Sequence, residues 1–546
     1  MIDGASTVRA MKKTALVALA IAQFVMVLDQ SVMNVSITQL VADFDTTVTT
    51  IQAVITLYCL VMAMLMLTGA KIGDIIGRRK AFVIGLCIYA VGSATTALAP
   101  TVAILALGWS ILEGIGAALV LPALAALIAG NFEGAQRKVA YAVIGGVAGA
   151  GIAIGPILGG WATTELTWRV VFIGEVVLVG IILALTPKIG DALRDGPAPR
   201  LDVVGAFLSA AGLGAVVLGI LQSSTWGLIE PKDSPVEPLG FSLAVFVIVG
   251  GALLLWAFVA WQRHREASGR DPLVHLRLFE VKPLRSGLVG LFTQNLVLMG
   301  VFFVVPLYLQ LVIGLDALDT GLRMLPISVT MFICSALGSR LSAKVSVRTI
   351  VRAGLLTSTF AIVLLIATVD PQLHDGGFAL SMAVLGVGMG LIVSQLGNVV
   401  QSSVDASGRG EAGGLQYTGQ QLGSSLGVAL IGAIVLAGLT TGFLQRIEAD
   451  ERISPAVAEQ VTTAAGNGVD FVSGEQLHTA ATDAGVDAAS ADAIVDDYES
   501  AQLKALKTGL LATGMLALIS LMSTRYLPAK VGSTDAPERA APEFST

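Results

Sequence analysis

The sequence predicts an all-α protein that crosses a membrane fourteen times, and three observations carry that prediction. Of 546 residues, 55% are hydrophobic and only 13% are charged, about half the charged share of a soluble domain. Fourteen apolar segments reach the roughly 20 residues that a helix needs to cross the hydrocarbon layer. The fifth of them holds Gly151, Gly155, Pro156, Gly159 and Gly160. That content would ruin a soluble helix, but in lipid it lets helices approach closely and bend.

In chain order the segments are 14–37, 51–70, 81–99, 102–126, 138–162, 169–187, 202–222, 240–261, 284–312, 320–341, 348–369, 377–403, 412–438 and 505–527. Aromatics make up 6% of the chain against 61 glycines, so the apolarity is aliphatic and suits close helix packing. Arg9, Lys12 and Lys13 precede the first segment. No small-residue cleavage site follows before Asp29, so the segment reads as an uncleaved span. Cys59, Cys87 and Cys334 fall inside apolar segments and read as small apolar packers, not a disulfide framework.

An even number of spans puts both termini on one side. The loops on that side hold Lys71, Arg78, Arg79 and Lys80, then Arg137 and Lys138, then Lys188, Arg194 and Arg200. Arg263, Arg265, Arg270, Arg277, Lys282 and Arg285 follow, and after them Arg340, Lys344, Arg348 and Arg352. The positive-inside rule makes this side cytoplasmic.

Three stretches interrupt the pattern. Residues 188–201, with Gly190, Pro197 and Pro199, link the first six spans to the rest. Residues 440–503 form a long outer loop rich in Ala, Asp and Glu. It reads as a mobile acidic loop with no transport role; the alternative is a small cap, since Ser454–Ala465 and Ala488–Gln502 have the pattern of short amphipathic helices. The tail after Lys530 reads as disordered.

The first cytoplasmic hairpin reads Gly69-Ala-Lys-Ile-Gly-Asp74-Ile-Ile-Gly77-Arg78-Arg79-Lys80. Gly77 permits a tight reversal, and Asp74 can accept hydrogen bonds at a helix end or pair with an arginine. Together with the glycine-proline segment 151–160, this spacing resembles the major facilitator superfamily. Leu28-Asp29-Gln-Ser-Val-Met-Asn34-Val resembles the first-span motif of its fourteen-span drug/proton antiporters, the QacA/EmrB type. Trp168-Arg169, Asp271-Pro-Leu-Val-His-Leu-Arg-Leu-Phe279 and Gly413-Gly-Leu-Gln-Tyr-Thr-Gly-Gln-Gln-Leu-Gly423 resemble the same branch.

The resemblance implies two six-helix bundles around a central cavity, with spans 7 and 8 as an extra pair and rocking of the bundles giving alternating access. The corresponding division is an N-terminal bundle at 1–187, linker and extra spans at 188–270, a C-terminal bundle at 271–527 and a tail at 528–546. It further implies a bacterial inner-membrane protein that acts as a monomer. One departure concerns the fourth span, where the family carries an arginine and a glutamine. Ser110 and Glu113 stand in their places. The second-half counterpart of the hairpin, 338–348, lacks the aspartate and the second glycine.

A charge at the bilayer centre costs at least about 2.5–3.5 kcal/mol, so acids there need a reason. Asp29 lies roughly ten residues from either end of its segment and matches the family motif. Burial without a fixed cation favours its neutral form, as a proton carrier requires; the other role open to it is a structural hydrogen bond. Glu113, with Ser110 and Ala117 on its helical face, is a second proton site, a counter-ion for a cationic substrate, or a protonated acid bonding a neighbouring helix. Glu175 sits on a peripheral span and reads as structural.

Candidate cavity residues are Asn34, Ser110, Gln294, Asn295, Gln395, Asn398, Gln416, Tyr417 and Gln420, with Gln421 beside them. Interhelical hydrogen bonding is an equal alternative for the glutamines. Met26, Met33, Met62, Met64 and Met66 read as packing residues more readily than as an adaptable ligand surface.

No phosphate-loop motif occurs, so ATP is not expected to drive the protein. The four histidines show no metal spacing, no enzyme nucleophile motif is present, and nothing points to a cofactor or to nucleic acid. The expected function is proton-coupled export of amphipathic or cationic small molecules, with the small molecule, protons and lipid as partners. The alternatives are a dedicated exporter of one metabolite, antibiotic or lipid, and a transport-inactive sensor.

Overall fold

A computed structural model describes residues 2–132, 134–191, 199–232, 234–404, 408–465 and 469–529. Residues 192–198 of the expected linker, with Arg194 and Pro197, and the tail from 530 onward lie outside the described residues. Among those described, every regular element is helical.

Thirteen helices are long and apolar enough to cross a membrane, and one bent pair completes fourteen spans. The first six are Lys13–Val35, Val48–Ile76, Arg78–Ala97, Val102–Ile128, the pair Val143–Ile152 and Ile154–Leu166, and Arg169–Lys188. Spans 7 and 8 are Val203–Ser223 and Leu243–Ala267. Spans 9 to 14 are Lys282–Val312, Ala317–Gly338, Val347–Thr368, Asp375–Ser402, Gly410–Ala449 and Ala488–Tyr526. Short polar residues start many of these helices by accepting an otherwise orphaned backbone N–H. Thr47, Thr101, Asp202, Asp316 and Ser346 accept from Thr50, Ile104, Gly205, Asp319 and Thr349 respectively.

The packing repeats between the halves. Span 1 lies on span 5 as span 9 lies on span 13, and spans 2 and 3 lie on span 4 as spans 10 and 11 lie on span 12. Two seams join the halves, span 2 against span 13 and span 5 against span 10. These are equivalent positions in the repeat, the arrangement of a two-fold transporter. Spans 7 and 8 pair with each other, and span 7 rests on spans 2 and 13. Span 8 turns Leu253 and Trp256 outward, at 61% and 72% exposed, as a lipid-facing helix should.

The region 440–503 differs from the mobile loop expected. Span 13 continues as one helix to Ala449, Pro455–Ala464 and Gly474–Asp483 form two short helices, and the last span begins at Ala488. The reason is an apolar core that the Ala- and Asp-rich composition conceals. Phe443, Ile447, Ile453, Phe471, Ile494 and Tyr498 are all buried, with Phe443 edge-on to Tyr498 at 5.5 Å. The Tyr498 hydroxyl donates to the Asp470 carbonyl at 2.8 Å. Thr49, at the start of span 2, donates to the Asp470 side chain at 2.7 Å. The region is a packed cap on the face opposite the termini.

Candidate functional site

Four helices of the first half bring three acids together. Asp29 comes from span 1, Glu113 from span 4 and Glu175 from span 6. All three are at most 1% exposed, and one carboxylate oxygen from each lies within 4.8 Å of the other two. Span 3 supplies hydroxyl donors. Tyr89 and Ser93 donate to Glu175 at 3.1 and 2.7 Å, and Thr96 donates to Glu113 at 3.2 Å. Trp109 donates its indole N–H to Asp29 at 2.8 Å. The second oxygens, Asp29 Oδ2, Glu113 Oε2 and Glu175 Oε1, have no hydrogen-bond partner among the described residues. None of the three acids belongs to an ion pair there.

The local backbone explains how Glu113 reaches the cluster. Residues Ala106–Glu113 form a π-helical stretch within span 4, a conformation found mostly at functional positions. The wider turn breaks the regular helical spacing expected for Ser110, Glu113 and Ala117. Ser110 instead donates to the Val54 carbonyl of span 2 at 2.8 Å. Gly92 on span 3 makes room, since a Cβ there would lie 2.6 Å from Glu113 Cγ.

Asp29 lies six residues before its helix ends at Val35, about 9 Å at 1.5 Å per residue. Glu175 is six residues from the start of its span at Arg169, so the two acids stand at similar depth. At the mouth above them, Trp168 and Arg169 both donate to Asp43, at 2.7 and 3.2 Å. Glu175, read from sequence as a structural acid of a peripheral span, belongs to the cluster. Its signal was tertiary, the hydroxyls of span 3, and not local.

The expected cavity residues divide. Gln30 on span 1 donates across to Gln421 on span 13 at 3.4 Å, and Gln401 donates to Gln416 at 3.3 Å. Asn295 is half-buried near the middle of span 9, Gln416, Tyr417 and Gln420 are half-buried in the first turns of span 13, and Asn398 is exposed. Gln294 is buried with its carbonyl oxygen unpartnered. Others serve their own helices or a neighbour: Asn34 donates to Gln30 O at 2.7 Å, Asn295 to Leu291 O at 2.9 Å and Gln395 to Gly338 O at 2.8 Å. Met26, Met33, Met62 and Met66 are buried. Gln30 was not singled out from the sequence, since one glutamine beside a motif aspartate carries no distinct pattern.

The hairpin at 69–80 and the glycine-proline stretch at 151–160 sit at the seams. Asp74 pairs with Arg78, and Gly77 between them takes φ +102°, a region that only glycine enters without strain. Asp191 accepts from the Arg79 N–H at 3.1 Å. A Cβ on Gly410 would lie 2.9 Å from the Arg78 guanidinium, so the hairpin abuts the start of span 13. The stretch Gly151–Gly160 lies between spans 1 and 10. Cβ atoms on Gly151, Gly155 and Gly159 would meet Val27, Ser31 and Val32, and one on Gly160 would lie 2.3 Å from the Ala317 carbonyl. Span 5 bends by 41° just before Pro156.

The sequence profile of the Major Facilitator Superfamily matches residues 19–428, three quarters of the chain, and the chain belongs to that family. It is 27% identical to the tetracenomycin C resistance and export protein of Streptomyces glaucescens, over 84% of this chain and 83% of that one. It is 31% identical to the puromycin resistance protein pur8 of Streptomyces alboniger, over 81% and 84%. Identity to the multidrug efflux pump LfrA of Mycolicibacterium smegmatis is 28%, over 84% and 87%. The fold is shared with an inward-facing, unoccupied bacterial homologue of the human lysosomal transporter Spinster. That match has a TM-score of 0.59 and 14% identity, and covers 95% of this chain and 98% of the other. An auto-inhibited POT family peptide transporter gives 0.55 at 17% identity, over 93% and 97%.

Proposed function

We propose that the protein is a proton-coupled antiporter that exports amphipathic or cationic small molecules by alternating access. The observation that carries this reading is the Asp29–Glu113–Glu175 cluster, buried in a membrane-spanning bundle with no ion-pair partner among the described residues. Such a group of acids needs protons or another cation to offset its charge. The names of the relatives, resistance, export and multidrug efflux, supply the direction and the substrate class.

The two sites have separate places in this mechanism. The acids lie among spans 1, 3, 4 and 6 of the first half, while Gln30 bonds Gln421 across to the second half, where Gln416, Tyr417 and Gln420 also lie. Substrate and proton therefore compete through helix position and not for the same atoms. The connecting groups are short-range. Trp109 bonds Asp29 and stacks on Tyr58 of span 2 at 4.7 Å, and Ser110 bonds the Val54 carbonyl. Span 2 in turn meets span 13, where Gln52 donates to Val428 O at 3.0 Å and Ser425 donates to Thr56 O at 3.1 Å. A change of charge on Asp29 is passed along this route to the seam that must open.

In the same reading, residues 1–187 and 271–527 are the moving bundles, and 188–270 is the linker with its extra spans. The monomer sits in the inner membrane with both termini cytoplasmic, held by the basic loops. The test is proton release from detergent-purified protein on adding ethidium, wild type beside Asp29→Asn and Glu113→Gln. Release that vanishes in Asp29→Asn supports exchange; binding without release from wild type sinks it. The relatives that confer resistance to single antibiotics favour a second reading, a dedicated exporter, which competition among unrelated cations would separate.

A further inference from the structure

The motif resemblance points to the first-span acid, yet the geometry gives that acid two partners, one of them on span 6. We propose that Glu175 is a proton-carrying residue of the coupling site, so that three carboxyls form one unit that loads and releases more than one proton. This rests on the proton-coupled reading above.

Three observations support the proposal. The carboxyl oxygens of Asp29, Glu113 and Glu175 converge within 4.8 Å, so the charge on one is felt strongly by the others in a low-dielectric interior. Each acid has one oxygen fixed by a donor and one without a hydrogen-bond partner, which leaves a position for a proton on each. The three helices that carry them pack on one another or on span 3, so a shift of any one changes the spacing of all.

Glu175 is held more firmly than a bystander would need. Tyr89 and Ser93 both donate to its Oε2, which fixes the carboxyl in place and leaves its Oε1 turned to the other two acids. The titratable groups facing it are Asp29 from span 1, Glu113 from span 4, Tyr58 from span 2 and Tyr89 from span 3, with Cys59 near Asp29. Arg169, on its own span, is engaged by Asp43 and the Ala99 carbonyl at the mouth. With no cation in the cluster among the described residues, successive protons come from the group as a whole, and its titration belongs to the three acids together.

The experiment counts protons released per ethidium bound by the full-length protein in detergent, across a pH series. Wild type is compared with Glu175→Gln, and with Tyr89→Phe and Ser93→Ala, which keep the carboxyl but remove its donors. Glu175→Gln is expected to release about one-third fewer protons per ethidium bound, because one of three coupled carboxyls is gone. Tyr89→Phe and Ser93→Ala are expected to keep the proton count and displace the pH profile. A merely structural role for Glu175 would leave count and profile unchanged in every variant that binds ethidium, and that result overturns the proposal. Proton release driven by Na+ or Ca2+ alone, and lost in Glu175→Gln, overturns it in favour of a metal-ion site. No release from wild type defeats the coupling reading itself and this proposal with it, whereas normal release with a silent Glu175 defeats this proposal alone.

Discussion

Ser328 of span 10 donates its hydroxyl to the Ile152 carbonyl of span 5 at 3.2 Å. Residue 156, which would supply that carbonyl's helical N–H, is a proline and has none. The bond that the proline removes from span 5 is replaced from the other half of the molecule, so bend and seam are one feature.

Ser328→Ala should therefore cost more than an exposed serine. In membrane proteins such an interhelical bond is worth about 0.6 kcal/mol, up to about 1.7. A lower melting temperature and slower ethidium efflux are expected, with efflux restored by Ser328→Thr. Efflux equal to wild type in Ser328→Ala would show that the bond is idle during transport.

Gly160→Ala tests the other end of the same seam. Its Cβ would meet the backbone oxygen of Ala317 at 2.3 Å, and a backbone cannot rotate aside as a side chain can. Overpacking of this kind costs about 1–3 kcal/mol. The expected outcome is a folded protein at reduced yield, with efflux at least about tenfold slower if closure of this seam is required at each turnover.

His275 and Glu411 predict a pH dependence. His275 Nδ1 lies 2.9 Å from Glu411 Oε2, and its backbone N–H also donates to Glu411. The pair ties the segment before span 9 to the start of span 13. The Glu411 hydrogen bond raises the His275 pKa, against burial that lowers it. A raised value means that the folded state binds the proton more tightly than the unfolded chain. Its stabilisation is thus fully present below about pH 6.5 and is lost as pH rises through the folded value. The melting temperature of wild type minus that of His275→Gln should be largest near pH 5.5 and shrink toward pH 8.5. A flat difference would remove the imidazolium from the account.

Phe443→Ala asks whether the cap is integral. Phe443 is 2% exposed and packs on Tyr498, so truncation should cost about 3–5 kcal/mol. Increased protease cleavage between 450 and 487 is the readout. Resistance equal to wild type would mean that the cap is held by other contacts.

Much of this architecture was legible because membrane constraints act on local sequence. A span's length and apolarity are written in consecutive residues, and Asp29, Gly77 and the Gly151–Gly160 stretch sit in motifs whose spacing is itself the signal. What depended on another helix was not legible. Glu175 acquires its meaning from Tyr89 and Ser93, 86 and 82 positions away, and Ser328 from a carbonyl 176 positions away. The cap was legible only as an alternative to a mobile loop, because its few apolar residues are spread through an acidic, alanine-rich stretch.

The cap is continuous with spans 13 and 14 and is tied to span 2 through Thr49 and Asp470. Anything that grips the cap therefore holds three helices, two of which flank a seam. An antibody raised against residues 455–483 would act as a brake applied from the far side of the membrane. It would stall the cycle without entering the lipid and without resembling any transported compound, and mutations that retune substrate preference would not release it.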